Sequence, residues 1–443
     1  MKVIVLGCTH AGTSAIVNIK SLYSDAEVTV YERNDNISFL SCGIALHVGG
    51  VVKDPSGLFY SSPEKLAEIG VTTKMLHEVI DVDTANKIVS VKNLETGEVF
   101  TDSYDKLVVT TGSWPIIPRI QGIDLNNVLI CKNYSHSKTI IEKAATAKSI
   151  IVVGAGYIGV ELAEAFASSG KKVTLVDAED RILSKYYDKE FTDILEAELE
   201  KNGVELALGQ MVQKFNGDTS VNSIETDKAT IEGDLVILAI GFRPTTSLFA
   251  GKLDMLPNGA ILVDEYMHTS NKDILAAGDC CAVIYNPTGK HQYIPLATNA
   301  VRMGALVAKN LDGNNIKYLG TQGTSAIKIY SKNCASTGMI ETVAKSSGFE
   351  IETVLLTESN RPEFMPTYHE VLLKVVYDKN TKRVLGAQIV SDFDMTQTMN
   401  TMSVVIQNKM TIEELGFVDF FFQPHYNKPW NILNTAGLKA MGK

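Results

Sequence analysis

Two glycine turns constrain this chain of 443 residues more than any other feature. Each is wedged between an apolar strand and a helix, and each is followed by a second strand that ends in an acid. Lys2-Val-Ile-Val-Leu-Gly7 is the pattern of a strand buried on both faces, and Gly7-Cys8-Thr9-His10-Ala11-Gly12 opens a helix expected to run to about Tyr23. Glu27-Val-Thr-Val-Tyr-Glu32 completes a βαβ unit. The N–H groups at the start of such a helix receive a pyrophosphate, and an acid in the position of Glu32 receives ribose hydroxyls. Thr9 stands where a middle glycine usually lets phosphates approach the backbone.

The second unit carries the complete fingerprint. Ser149-Ile-Ile-Val-Val-Gly154 runs into Gly154-Ala-Gly156-Tyr157-Ile158-Gly159, a helix carrying Val160 to Ser169, and the strand Lys172-Val-Thr-Leu-Val-Asp177. Asp177 falls about 23 residues beyond Gly154, near the spacing of an acid that binds ribose. No arginine follows it directly, which favours the free 2′-hydroxyl of NAD over a 2′-phosphate. Two such units imply two dinucleotides, a nicotinamide in one and a flavin in the other.

The length exceeds one typical core, and several domains are expected. Ser113-Trp-Pro115 breaks the chain after the strand Lys106 to Gly112, and Leu107 to Pro115 echoes Leu235 to Pro244, each a strand ending in glycine and then proline. The turn-rich stretch Leu311 to Ile316 marks a further change of character. The expected division is 1–115 and 244–316 for one dinucleotide-binding domain, 116–243 for the other, and 317–443 for a C-terminal α+β domain. The fold class is thus α/β, two Rossmann-like domains plus an α+β domain. In the last domain, strands are expected at Ala326 to Tyr330, Glu352 to Thr357, Glu370 to Tyr377 and Val384 to Ser391, with helices at Met395 to Asn408 and Ile412 to Leu415. Its aromatic tail, Phe420 to Trp430, needs covering, which points to a homodimer.

With 51 acidic against 41 basic residues, the net charge of −10 speaks against nucleic acid or an anionic membrane as main partner. No apolar run has the length of a membrane span, and Met1 to Leu6 is too short for the apolar core of a signal peptide. The six cysteines form no CxxC and no zinc-like spacing with histidine. No metal site is expected, and the chain reads as a reduced, cytoplasmic protein.

One of those cysteines sits in Ile37-Ser-Phe-Leu-Ser-Cys42-Gly43, just before a short helix expected over Gly43 to Val48. A helix N-terminus favours thiolate over thiol, although most lone cysteines are small packing residues and position alone favours that reading here. His10, inside the first glycine turn, is either a local hydrogen-bonding residue or a ligand-facing one. Asp279, ending Asp273-Ile-Leu-Ala-Ala-Gly278-Asp279, is either a simple turn residue or an acceptor for a ribityl chain. The adjacent Cys280 and Cys281 read as packing residues, because neighbouring cysteines seldom form an unstrained disulfide.

Taken together, His10 in its turn, Ser38 to Gly43, Gly154 to Gly159, Ala277-Gly278-Asp279 and the segment Phe422-Gln-Pro-His-Tyr-Asn-Lys-Pro-Trp430 resemble the single-cysteine branch of the flavin disulfide reductases. That branch contains NADH oxidases, NADH peroxidases and coenzyme A disulfide reductases, and Thr9 to Thr13 is closest to the water-forming oxidases. The resemblance implies FAD contacts from Gly7, Cys8, Thr9, His10, Ala11 and Glu32, from Thr110, Thr111, Gly112 and Ser113, and from Lys132 and Asp279. Leu296, Ala297 and Thr298 join the same set. It implies NADH contacts from Gly154, Gly156, Ile158, Gly159, Asp177, Tyr186 and Gly241, with Tyr157 gating the nicotinamide slot. Cys42 would cycle between thiolate and sulfenic acid against the flavin, and His10 would hydrogen-bond the oxygen species being reduced. Tyr426 would approach the flavin from a partner subunit in a homodimer or dimer of dimers. The implied reaction is reduction of O2 to water by NADH; an NADH peroxidase acting on H2O2 is the alternative, with a coenzyme A disulfide reductase behind it.

Overall fold

Val3, Ile4, Val5 and Leu6 are all buried, as expected at the centre of a parallel sheet. In the computed structural model, which describes residues 1–442, strand β1 (Lys2–Leu6) pairs in parallel with β2 (Glu27–Glu32) and, on its other side, with Lys106–Val109. Val71–Met75 and Ile274–Ala276 extend the two edges, again in parallel. The second unit repeats the layout: Ser149–Val153 lies between Lys172–Val176 and Leu235–Leu238, with Val204–Ala207 and Val128–Ile130 outside them. The first sheet takes its fifth strand from far along the chain, so the second unit is inserted within the first. The echoing segments prove to be partners. Ser113–Pro115 and Phe242–Pro244 pair antiparallel, Ser113 opposite Pro244, at the crossing between the two units.

Helix α1 (His10–Leu22) leaves the first glycine turn at the point where strand order reverses, and packs on the helix Ala297–Lys309. The approach is close: a Cβ on Gly304 would lie 2.3 Å from the Ala11 carbonyl oxygen. The two helix starts are thereby brought to the same end of the first sheet.

The C-terminal domain is a five-stranded antiparallel sheet in the order Ser325–Ile329, Lys332–Gly338, Val384–Ser391, Glu370–Asp378, Ile351–Ser359. Three of its elements are unexpected, the short helix Glu341–Ser346 among them. Lys332–Gly338 has small and polar residues without clear alternation, and its strand state comes from pairing on both sides. Ile432–Ala440, a helix capped by Asn431, lies beyond the aromatic tail. The expected helix at Met395 begins at Thr398. Between Phe59 and Lys106 lies a three-stranded antiparallel meander (His77–Asp83, Ile88–Asn93, Val99–Ser103).

Lys374 locks the second unit to this sheet. Its ammonium, only 2% exposed, pairs with Asp188 at 3.2 Å, Glu190 at 2.9 Å and Glu341 at 3.1 Å. Gln388 closes the cluster, donating to Asp188 Oδ2 at 2.7 Å and accepting from the Asp188 N–H at 2.6 Å. Among the described residues no helix is long and apolar enough to cross a membrane, and no group of residues has the make-up of a metal site.

Candidate dinucleotide and thiol site

The two glycine turns solve one steric problem twice. A Cβ on Gly12 would lie 2.1 Å from the Gly7 carbonyl oxygen, and one on Gly159 would lie 1.7 Å from that of Gly154. Each helix therefore starts hard against its strand. A side chain on Gly156 would meet nothing, so the backbone there is open to a ligand; Thr9, its counterpart, is exposed. The helices starting at His10, Tyr157 and Ala297 carry no side-chain cap and no acid in the first turn, whereas those starting at Pro63, Tyr134 and Ile412 are capped by Ser62, Asn133 and Thr411. Uncapped N–H groups beside an open backbone suit phosphate oxygens.

The terminal acids are held alike. Glu32 accepts from the Cys8 N–H at 2.8 Å and from the Asn34 backbone N–H at 2.9 Å; Asp177 accepts from the Ala155 N–H and from the Glu179 N–H at 2.8 Å. Burial pushes the Glu32 carboxyl up, against the pull of those N–H donors. Thr110 donates to the carbonyls of Leu6 and Gly7, each at 2.9 Å, tying the Lys106–Val109 strand to the turn. Beyond it, Ser113 donates to Asp279 at 2.9 Å and accepts from Lys132 at 3.0 Å, so these three form one charged cluster. His10 Nε2 and Thr111 Oγ1 are buried without partners, which fits a polar group lying against them. Each of the two cradles therefore fits the pyrophosphate and ribose of a dinucleotide.

Cys42 differs from the expectation in one respect. Ser41–Gly43 is a separate tight turn leading into α2 (Ile44–Val48), so Cys42 lies ahead of a helix of five residues whose dipole is small. Its thiol is pushed up: desolvation dominates, Glu161 and Asp279 add negative charge, and Lys132 opposes them. Even so, it is the one exposed cysteine of the six, and Cys8, Cys131, Cys280, Cys281 and Cys334 are buried. The loop is held from behind. Ser38, at φ 57°, donates to the Ser61 carbonyl at 2.7 Å and accepts from the Ser61 N–H at 2.8 Å, while Phe39 packs on Phe59 and Tyr134. Cys280 and Cys281 have sulfurs 3.5 Å apart, unbonded, as packing residues would.

In the second unit, the Tyr157 hydroxyl lies 2.7 Å from Ser325 Oγ and 3.2 Å from Tyr187 Oη, and its ring lies against Tyr186. Gly241 accepts from the Ile116 N–H at 2.9 Å, at φ 109°. Tyr426 is exposed on the C-terminal domain against Phe421 and His425, apart from the residues above. Three residues escape sequence reasoning: Tyr60, stacked on His10; Glu161, whose carboxyl burial pushes up to about 7; and Ser325. None sits in a motif, and each reaches the site only through the fold.

Residues 1–304 match the pyridine nucleotide-disulphide oxidoreductase family, and residues 324–432 match the dimerisation domain of the same proteins. The chain belongs to this oxidoreductase family. It is 57% identical over its full length to an NADH oxidase of Enterococcus faecalis, covering 99% of that relative. It is 33% identical to an NAD(P)H coenzyme A polysulfide/persulfide reductase of Pyrococcus horikoshii, over 98% of this chain and 96% of the other. Among solved structures, a water-forming NADH oxidase from Lactobacillus brevis bound to NADH superposes with a TM-score of 0.98 at 52% identity, covering all of this chain and 98% of that one. The expected α/β architecture and the resemblance to NADH oxidases are both borne out.

Proposed function

We propose that this chain is an FAD-dependent NADH oxidase that reduces O2 to water, with Cys42 cycling between thiolate and sulfenic acid. The observation that carries the reading is a lone exposed thiol beside a flavin cradle that also holds an unpartnered buried histidine nitrogen. The full-length similarity to NADH oxidases supports it. Residues 1–115 and 244–316 form the FAD-binding domain in this reading, 116–243 the NAD-binding domain, and 317–443 the dimerisation domain (Lys443 itself lies outside the described residues). The protein acts as a cytoplasmic homodimer, in which the partner covers the exposed aromatic tail and supplies its Tyr426 side chain.

Bound FAD supplies two-electron exchange with NADH and delivery of those electrons to oxygen. The uncapped helix starts at His10 and Ala297 bind the FAD pyrophosphate with the backbone of Gly7 to Ala11, and Glu32 takes the ribose hydroxyls. Thr110 to Ser113, Lys132, Asp279 and Leu296 to Thr298 hold the rest of the cofactor. Gly154 to Gly159 and Asp177 do the same for NADH; Tyr186 and Gly241 flank it, and Tyr157 gates the slot. The Cys42 thiolate attacks oxygen at the peroxide level: an S–O bond forms, the O–O bond breaks, and the departing hydroxide becomes water on taking a proton. A second NADH reduces the sulfenic acid, giving thiolate, NAD and the second water. Among six cysteines only Cys42 is exposed, so sulfenic acid, not a dithiol–disulfide pair, is the second redox state.

Stoichiometry tests the reading. Two NADH per O2, with catalase without effect, is expected of the native enzyme, and one NADH per O2 with oxygen returned by catalase is expected of Cys42→Ser. Water as the product of that variant removes the cysteine from the mechanism. Negligible oxygen uptake with rapid NADH loss on adding peroxide makes the protein a peroxidase instead.

A further inference from the structure

His10 and Tyr60 form a pair that no motif announces. Their rings stack with centroids 5.7 Å apart and planes within 5°, and Tyr60 Oη lies 3.0 Å from His10 Nδ1. The remaining ring nitrogen, Nε2, is buried and has no partner. His10 and Cys42 both lie within electrostatic reach of the paired Asp279 and Lys132.

The position of the ring proton decides what Nε2 can do. Burial holds the imidazole neutral; Asp279 pulls the other way and Lys132 assists. The Tyr60 phenol is likewise kept protonated by burial. The phenol O–H therefore needs an acceptor, and His10 Nδ1 is in place to be one. A neutral ring that accepts at Nδ1 carries its hydrogen on Nε2.

We propose that Tyr60 is the positioning residue for His10: its hydroxyl donates to Nδ1 and so presents Nε2–H as a fixed donor to the oxygen that departs when the Cys42 thiolate attacks hydrogen peroxide. The tautomer stands apart from the reaction, and its role rests on the oxidase reading above. In the step, the sulfur lone pair forms the S–O bond, the O–O bond breaks, and its electron pair leaves on hydroxide, which a solvent proton converts to water. Nε2–H stabilises the charge growing on that oxygen and does not transfer its own proton. The stacked phenol also fixes the plane of the imidazole, so the donor keeps its direction.

The test is nitrogen NMR on holoenzyme labelled at histidine with 15N, with the His10 signals assigned by their loss in His10→Gln. Nε2 protonated and Nδ1 unprotonated but hydrogen-bonded is the expected pattern. Tyr60→Phe, which keeps the stack and removes the hydroxyl, is expected to shift the Nδ1 resonance and to raise the fraction of electrons released as H2O2 roughly five- to tenfold, the value of one hydrogen bond. In a Cys42→Ser background the same change is expected to add nothing, because the step it assists is gone. A proton on Nδ1 in the native enzyme overturns the proposal, as does a Tyr60→Phe enzyme with an unmoved resonance and an unchanged peroxide fraction. Nε2–H found in an enzyme that releases all its oxygen as peroxide upholds the tautomer and overturns the oxidase reading, so the two failures are distinct.

Discussion

Replacing Lys374 by methionine removes the one cation from a cluster of three acids while filling nearly the same space. The loss can be sized from exposure. Glu190 and Glu341 have side chains 39% and 30% exposed, so water screens them and their pairs count for little. Asp188 is 5% exposed and remains as a buried, uncompensated carboxylate, the situation that costs about 3–5 kcal/mol. Because Gln388 still donates to Asp188, the low end, about 3 kcal/mol, is expected. Urea unfolding near neutral pH measures it as a lower midpoint at unchanged slope. Adding Asp188→Asn removes the stranded charge, keeps the acceptor for Gln388, and is expected to recover most of the loss. A cost below about 1 kcal/mol would refute the view that Asp188 is desolvated there.

Other consequences can be measured on the coenzyme and thiol chemistry. In reduced protein freed of FAD, iodoacetamide is expected to alkylate Cys42 with a midpoint above the ordinary cysteine value, since desolvation pushes the thiol up, and full reactivity at neutral pH would contradict the surroundings described. Glu161→Gln removes the stronger of the two negative charges acting on that thiol and is expected to move the alkylation midpoint down; an upward or absent shift shows that Glu161 does not act on Cys42. Asp177→Ala is expected to lower kcat/KM for NADH on the order of tenfold and to raise the NADPH to NADH ratio, because an acceptor and a charge opposed to a 2′-phosphate both disappear. Glu179 and Asp180 remain on the same loop, so NADPH is expected to stay the poorer substrate. An unchanged ratio would remove Asp177 from coenzyme selection.

The two dinucleotide units were legible because their requirements are local. A glycine whose Cβ would collide with the carbonyl five residues back, as at Gly12 and Gly159, leaves a mark that no other residue can imitate. The acids Glu32 and Asp177 are equally readable, as each ends a strand whose partner carries the turn it faces. The sequence pattern likewise showed four of the five C-terminal strands through their β-branched runs. Lys332–Gly338 lacked such a run, since its strand state depends on neighbours arriving from elsewhere. The order of the sheets, the insertion of one unit within the other and the pairing of Ser113–Pro115 with Phe242–Pro244 also needed the fold, because they join segments over a hundred residues apart. So did the state of Cys42. Its identity and its place after β2 follow from sequence, but its thiol responds to Glu161, Asp279 and Lys132, which converge on it from three distant parts of the chain. What the sequence by itself determined is backbone that must pass close to backbone or phosphate, where steric exclusion acts within a few residues. What only the tertiary structure decided is the electrostatic setting of His10 and Cys42, with Tyr60 on the one and the charge of Glu161 acting on the other, because desolvation and charge act through space and leave no periodicity along the chain.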